Sequence, residues 1–246
     1  MKPEDALPAP VAQGPGLAIV VGAGGGLGTA LLAQLQADRS YARVLALGRS
    51  SEWPIDYAQE ASIAAAAQAV AGICEQSGLE LRLLLVASGF LHGEAGQPER
   101  SWSHLDMAYL QHVFLVNTLG PALLIKHFFP LLPKRGRCVA GFVSARVGSI
   151  ADNALGGWYG YRASKAALNQ LVKTASIELT RRNPDSVCVA LHPGTVDTAL
   201  SQPFAKTGLK VRPPQQAATE LLGVIAALQP ADTGTLMDYQ GQTLPF

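Results

Sequence analysis

Cysteine, charge and long apolar runs are all scarce in this chain, and each scarcity removes a class of protein. There are three cysteines, Cys74, Cys138 and Cys188. They lie far apart, with no C-x-x-C pair and no histidine at ligand spacing. That argues against a disulfide framework and against a metal site, and it points to free thiols in a reducing, cytoplasmic compartment. Charged residues make up only 15% and the net charge is +1. Without a basic stripe, neither nucleic acid nor an anionic membrane is an expected partner. No uninterrupted apolar run reaches the length that spans a bilayer. The N-terminus, Met1-Lys2-Pro3-Glu4-Asp5, has proline and acids where a signal peptide has an apolar core. Residues 1–15 therefore read as a mobile leader on a soluble protein.

What is present is apolar and ordered. Hydrophobic residues make up 48% of 246, enough for one large core in a single domain over 16–246. Short apolar runs alternate with helical patterns. Leu17–Val21, Val44–Leu47, Leu81–Val86, Arg137–Ser144, Val187–Leu191 and Thr235–Asp238 read as strands. Leu27–Ala37, Ala61–Ile73, Leu105–Leu132, Tyr161–Arg181 and Gln215–Leu228 read as helices, the third with Gly120-Pro121 inside it. Strands alternating with helices make β-α-β units. The fold class is α/β, a three-layer, doubly wound parallel sheet of the Rossmann type.

The first strand runs into Gly22-Ala23-Gly24-Gly25-Gly26-Leu27-Gly28 and then a helix. Glycines there permit a tight turn and close approach of backbone to a pyrophosphate, and the helix N-terminus offers free N–H groups. The spacing is G-x-x-x-G-x-G, not G-x-G-x-x-G. About twenty residues on, where an acid would bind a ribose 2′-hydroxyl, stands Gly48-Arg49-Ser50. Arg49 can pair with a 2′-phosphate, so NADP(H) is favoured over NAD(H). A solvated loop arginine is the competing reading.

Tyr161 and Lys165 are four residues apart and share a helical face. An ammonium beside a phenol lowers its pKa toward neutrality and makes Tyr161 a candidate general acid for a carbonyl. Tyr159 has no such lysine.

Taken together, Gly22-x-x-x-Gly26-x-Gly28, Tyr161-x-x-x-Lys165 and His192-Pro193-Gly194-Thr195-Val196-Asp197-Thr198, in this order, resemble the classical short-chain dehydrogenases/reductases from about Leu17 to the C-terminus. Asn117-Thr118-Leu119-Gly120-Pro121, Ser144 to Ile150 and Gly156 to Lys165 resemble the bacterial C-factor-like branch. The resemblance implies hydride transfer between nicotinamide and a small carbonyl or alcohol. It makes Tyr161 the proton donor, Lys165 the ribose ligand that tunes it, and Asn117 the holder of a water. Ala87-Ser88-Gly89 and Asp56 would lie near the adenine. Gly22, Gly24, Gly26, Leu27, Gly28, Pro193 and Gly194 would line the cofactor, with Val196 and Thr198 at the carboxamide. It also implies a homodimer or homotetramer. The Leu123–Phe129 face is a candidate interface, and core packing explains it equally well.

The chain departs from the family pattern at three places. Val21 precedes the first glycine. Val86-Ala87-Ser88-Gly89 replaces a more polar stretch. Ala145 aligns with the serine that polarises the carbonyl, leaving Ser144 or Ser149 as substitutes. A dinucleotide-binding regulatory protein with little turnover is therefore the second reading, and a structural oligomer the third. The segment Ala199–Pro214 should flank the substrate pocket, with Trp158 and Phe90 facing it; its residues read equally as contacts to a partly apolar substrate or as a packed surface loop.

Overall fold

The computed structural model describes residues 16–204 and 211–246. The leader at 1–15, and Lys206, Leu209 and Lys210 of the substrate segment, lie outside the described residues. The strands are β1 (Gly16–Val21), β2 (Arg43–Leu47), β3 (Glu80–Val86), β4 (Cys138–Val143), β5 (Ser186–His192), β6 (Thr195–Val196), β7 (Val211–Arg212), β8 (Leu236–Asp238) and β9 (Thr243–Leu244). The helices are α1 (Gly26–Asp38), α2 (Glu60–Ser77), α3 (Met107–Phe114), α4 (Gly120–Phe128), α5 (Tyr159–Arg182) and α6 (Pro214–Ala227).

Seven strands form one sheet in the order β2-β1-β3-β4-β5-β8-β9. All pairs are parallel except β8 with β9. Central strands buried on both faces need continuous apolar runs, and all six residues of β1 are buried. Alternation divides the core in two. Leu17, Ile19 and Val21 pack with α2, α4 and α5, for instance on Ile63, Leu124 and Leu168. Ala18 and Val20 pack with α1 and α6, on Leu31 and Leu221. The chain runs from β1 to one side for β2, then crosses to the other side of β1 for β3. Right-handed crossovers in opposite directions place α1 and α2 on opposite faces. The connections leaving β1 and β3 run in opposite directions at this switch point, the place outside the carboxyl ends where ligands bind in such sheets.

The expected long helix at Leu105–Leu132 is real as a run but not uniform. A π-turn over Leu115–Leu119 separates α3 from α4. The run Met107–Leu131, though interrupted by polar residues such as Gln111, Asn117 and Lys126, is by length and composition apolar enough to cross a membrane, with a mean hydropathy of 1.3. Here it lies in the helical layer with Val113, Leu124 and Phe128 fully buried. The Leu123–Phe129 face is core: Leu124 and Phe128 sit inside it, with Leu123 and Ile125 against it. Exposed apolar side chains fall earlier, at Met107 and Leu119.

Candidate active site

Tyr161 and Lys165 open α5 beneath the carboxyl end of β4. The Lys165 Nζ lies 5.9 Å from the centre of the Tyr161 ring and donates to the Val143 carbonyl at 2.9 Å. Both residues are buried, as helical spacing on an inward face requires. Gly148 allows this packing, because a Cβ there would come within 2.7 Å of the Lys165 Cβ.

The start of α5 is built by other segments. Its cap residue, Trp158, is left-handed, at φ 53° and ψ 43°, and contributes no side-chain cap. Gly156 and Gly157 before it also have positive φ. Such a run needs external support, and two side chains supply it. Glu99, 2% exposed, accepts the Gly160 amide on both carboxylate oxygens at 3.1 Å, and its carbonyl accepts the Trp158 amide at 2.6 Å. Arg162 donates to the carbonyls of Gly157, Val147 and Gly156. Nothing in the sequence singled out Glu99, because its partner lies 61 residues away.

Electrostatics correct one expectation. Burial pushes the Tyr161 phenol up to about 12 and the Lys165 ammonium down to about 7. Loss of hydration therefore outweighs the attraction that would have lowered the phenol. Tyr161 is a proton-bearing phenol throughout the neutral range, the form a general acid needs.

Asn117 sits in the π-turn, fully buried. Its Oδ1 accepts the Phe90 amide at 2.8 Å, and its Nδ2 donates to the Phe90 carbonyl at 2.8 Å and to Ser164 Oγ at 3.1 Å. The side chain thus pins the loop after β3 to the helix beside Tyr161. π-turns recur at functional sites, and Asn117 and Thr118 are the buried residues of this one. At Gly89 a Cβ would come within 3.7 Å of both Asn117 Oδ1 and Lys165 Nζ.

The serine question resolves by strand alternation. Ser144 follows Ala140 and Phe142 onto the α5 face, where its hydroxyl donates to Asn169 Oδ1 at 2.7 Å in the core. Ala145, the next residue and beyond the end of β4, packs instead with Tyr161, Leu91 and Val113. Ser144 is therefore turned away from the Tyr161 cluster, against its expected catalytic role. Ser149 is 2% exposed and accepts the Asp152 amide.

The glycine turn fits a dinucleotide. Gly22 is left-handed at φ +81°, and a Cβ there would lie 2.6 Å from the Ser88 amide nitrogen. A Cβ at Gly28 would overlap the Gly22 carbonyl, and one at Gly26 would lie 2.8 Å from the Thr198 methyl. Beside Gly24 there is only open space, and the first turn of α1 carries no acid. The cradle is thus a shaped backbone with free amides and no negative charge, as a pyrophosphate requires. Leu27 anchors the helix in the core.

The remaining expected residues follow the carboxyl ends of β2, β3 and β5. Arg49 is exposed at the end of β2 and makes no ion pair among the described residues. Ser88 Oγ lies 2.6 Å from the Tyr57 hydroxyl, and the Ala87 amide bonds to Val21. Asp56 spends its carboxylate on its own turn, accepting from Ala58 N and Gln59 Nε2. Pro193 and Val196 are buried. Gly194 is left-handed beneath Arg212, whose guanidinium stacks 3.4 Å from the Tyr239 ring centre. Among the described residues no group of histidine, cysteine and acids is placed to hold a metal.

The comparisons agree with this geometry. The short chain dehydrogenase family profile matches residues 16–208. "C-signal" of Myxococcus xanthus is 37% identical over 142 residues, 58% of this chain and 81% of that protein. The 1-hydroxy-2-glutathionyl-2-methyl-3-butene dehydrogenase of Rhodococcus sp. (strain AD45) is 31% identical, covering 83% of this chain and 84% of its own. An NADPH-bound carbonyl reductase from chicken fatty liver superposes with a TM-score of 0.81 at 23% identity, over 94% of both chains. With a profile match across most of its length, this protein belongs to the short-chain dehydrogenases, and it is an oxidoreductase of that family.

Proposed function

We propose that the protein is an NADP(H)-dependent carbonyl reductase in which Tyr161 is the general acid. One observation carries the reading: the buried side chains of Tyr161 and Lys165 lie side by side at the switch point, across Gly89 from Asn117. When bound, the nicotinamide supplies the hydride. Tyr161 gives the carbonyl oxygen its proton, Lys165 holds the ribose, and Asn117 keeps the Phe90 loop against α5. The glycine turn and α1 take the pyrophosphate, Ala87, Ser88, Gly89 and Asp56 flank the adenine, and Val196 and Thr198 meet the carboxamide. Arg49, exposed and without an ion pair among the described residues, takes a 2′-phosphate.

Titration with NADPH and NADH, followed by assays on aldehydes and ketones, tests this. NADPH should bind more tightly, Arg49→Ala should remove that preference, and Tyr161→Phe should abolish turnover. Equal affinities would refute the Arg49 assignment, and turnover unaffected by Tyr161→Phe would refute the mechanism. A regulatory binder with little turnover is the second reading, favoured by Ala145 beside Tyr161 and by Ser144 held on Asn169. Tight NADPH binding with no turnover would make it the first.

The buried thiols of Cys138 and Cys188 support a cytoplasmic location. A homodimer or homotetramer is proposed through the apolar strip that includes exposed Met107 and Leu119 and half-buried Leu115.

A further inference from the structure

A buried cation ties three segments together at the carboxyl end of β5. The Arg212 side chain is 4% exposed, and its Nε lies 3.1 Å from Glu220 Oε2 on α6. Gln216 orients that carboxylate, donating from Nε2 to Oε1 at 2.8 Å. The guanidinium stacks 3.4 Å from the centre of the Tyr239 ring, just after β8. Beneath both lies Gly194, left-handed at φ +73°. A Cβ there would stand 2.3 Å from Arg212 Nη1 and 3.1 Å from the Tyr239 ring. The guanidinium and the ring therefore fill the space that a side chain at Gly194 would take.

The backbone of Arg212 faces the other way, toward the glycine turn. β7 pairs with β6, and Val196 stands opposite Arg212. The Arg212 carbonyl accepts the Asp197 amide at 2.7 Å. The next residue, Thr198, rests on the glycine turn, where a Cβ at Gly26 would come within 2.8 Å of its methyl. One residue thus fixes the turn at Gly194 by its side chain and the strand leading to Thr198 by its backbone. Burying a guanidinium costs hydration that an apolar side chain would not lose. The best-attested use of a buried charge is to fix one register among several. The planar fork suits that use, because it meets a carboxylate at its edge and a ring on its face at once.

We infer that Arg212 is a positioning residue for the nicotinamide half of the cofactor. It acts through Gly194, Val196 and Thr198, and it sets where that half lies relative to the pyrophosphate turn and Tyr161. The inference rests on the reductase reading.

Ligand fragments isolate that half. NADPH and its nicotinamide-free counterpart, ADP-ribose 2′-phosphate, are titrated by calorimetry into the full chain and into Arg212→Lys, Tyr239→Leu and Tyr239→Phe. Lysine keeps the charge but loses the fork and the flat stack. Leucine removes the ring and leaves the Glu220 pair, so it carries the same comparison should Arg212→Lys fail to fold. In both, NADPH should bind about tenfold or more weakly, the scale on which removing a partner that orients binding groups acts, whereas ADP-ribose 2′-phosphate should stay within about threefold. On the aldehyde or ketone that the parent reduces fastest, kcat at saturating NADPH should fall by about a hundredfold, the cost of about 1 Å of misplacement. Tyr239→Phe keeps the ring face and should match the parent throughout. Equal losses for the two ligands would make Arg212 a support of the whole fold and overturn the inference, as would an unchanged NADPH affinity in both variants. Either result leaves the reductase reading intact. A parent protein that binds neither ligand overturns both.

Discussion

Both carboxylate oxygens of Glu99 accept the single amide of Gly160, at 3.1 Å each, and so an acid from a distant loop holds the first turn of the helix that carries Tyr161. The first turn of α5 contains no acid of its own, and the helix N-terminus favours one. A hydrogen bond to a charged group contributes about 1.5–3 kcal/mol. Glu99→Ala should lower unfolding stability by about that amount in urea, and it should lower kcat more than it weakens NADPH binding, because the turn beside Tyr161 loosens. Glu99→Gln, which keeps an acceptor, should recover most of kcat. A Glu99→Ala protein with unchanged stability and kcat would refute the role.

Lys165 gives the protein a pH dependence of calculable sign. An unfolded lysine holds its proton to about pH 10.4, whereas folded Lys165 releases it at about 7. Between those values the unfolded chain binds more protons, so stability from this group rises with pH. Its burial penalty is present in full below about pH 7 and gone above about pH 10.4. Tyr161 has the opposite sign. It titrates at about 12 when folded and about 10 when unfolded, so its contribution falls as pH rises through that interval. Lys165→Met should therefore stabilise the protein at pH 6, by an amount of order a few kcal/mol, and hardly at all at pH 10. Urea midpoints at the two pH values measure the difference. A gain that is independent of pH would contradict burial as the cause.

Ser144 and Tyr161 should separate cleanly in kinetics. Loss of a donor to the reacting carbonyl costs about a hundredfold or more in kcat, and that is the expectation for Tyr161→Phe. Ser144→Ala instead leaves Asn169 Oδ1 short of its donor, at a cost of about 1–3 kcal/mol in stability, with kcat within about threefold of the parent. A collapse of kcat with stability intact would return Ser144 to the catalytic set.

Two glycines of the turn should behave differently. Gly28→Ala drives a methyl into the Gly22 carbonyl, so it should both destabilise the fold and abolish NADPH binding. Gly24→Ala meets no protein atom. It should leave the melting temperature unchanged and weaken NADPH by at least about tenfold, by filling space that the pyrophosphate needs. Calorimetry and fluorescence titration on the same samples distinguish these outcomes, and unaltered NADPH affinity in Gly24→Ala would place the pyrophosphate elsewhere.

The strands were legible because they are buried on both faces: Leu17–Val21 and Leu81–Val86 are apolar runs with few other readings, and β1 and β3 coincide with them. The glycine turn and the Tyr161–Lys165 pair were legible because their partners are local, within one turn or one helix. The break at Asn117 was not, since a π-turn differs from an α-turn by one residue and leaves the apolar pattern nearly unchanged. Arg49 could be found by its position alone, and the structure leaves it exposed at the end of β2.

By itself, then, the order of apolar runs, glycines and the Tyr–Lys spacing determined the α/β class, the glycine turn and the helix that carries the chemistry, because each depends on residues near one another in the chain. Only the tertiary structure decided the state and surroundings of that chemistry. Burial, not the neighbouring ammonium, sets the protonation of Tyr161 and Lys165. Strand alternation turns Ser144 into the core, and Ala145, the next residue, packs with Tyr161 instead. Glu99, Trp158 and Phe204 meet Tyr161 or its helix from separate loops. Desolvation and long-range contacts belong to the folded packing, and a one-dimensional pattern carries neither.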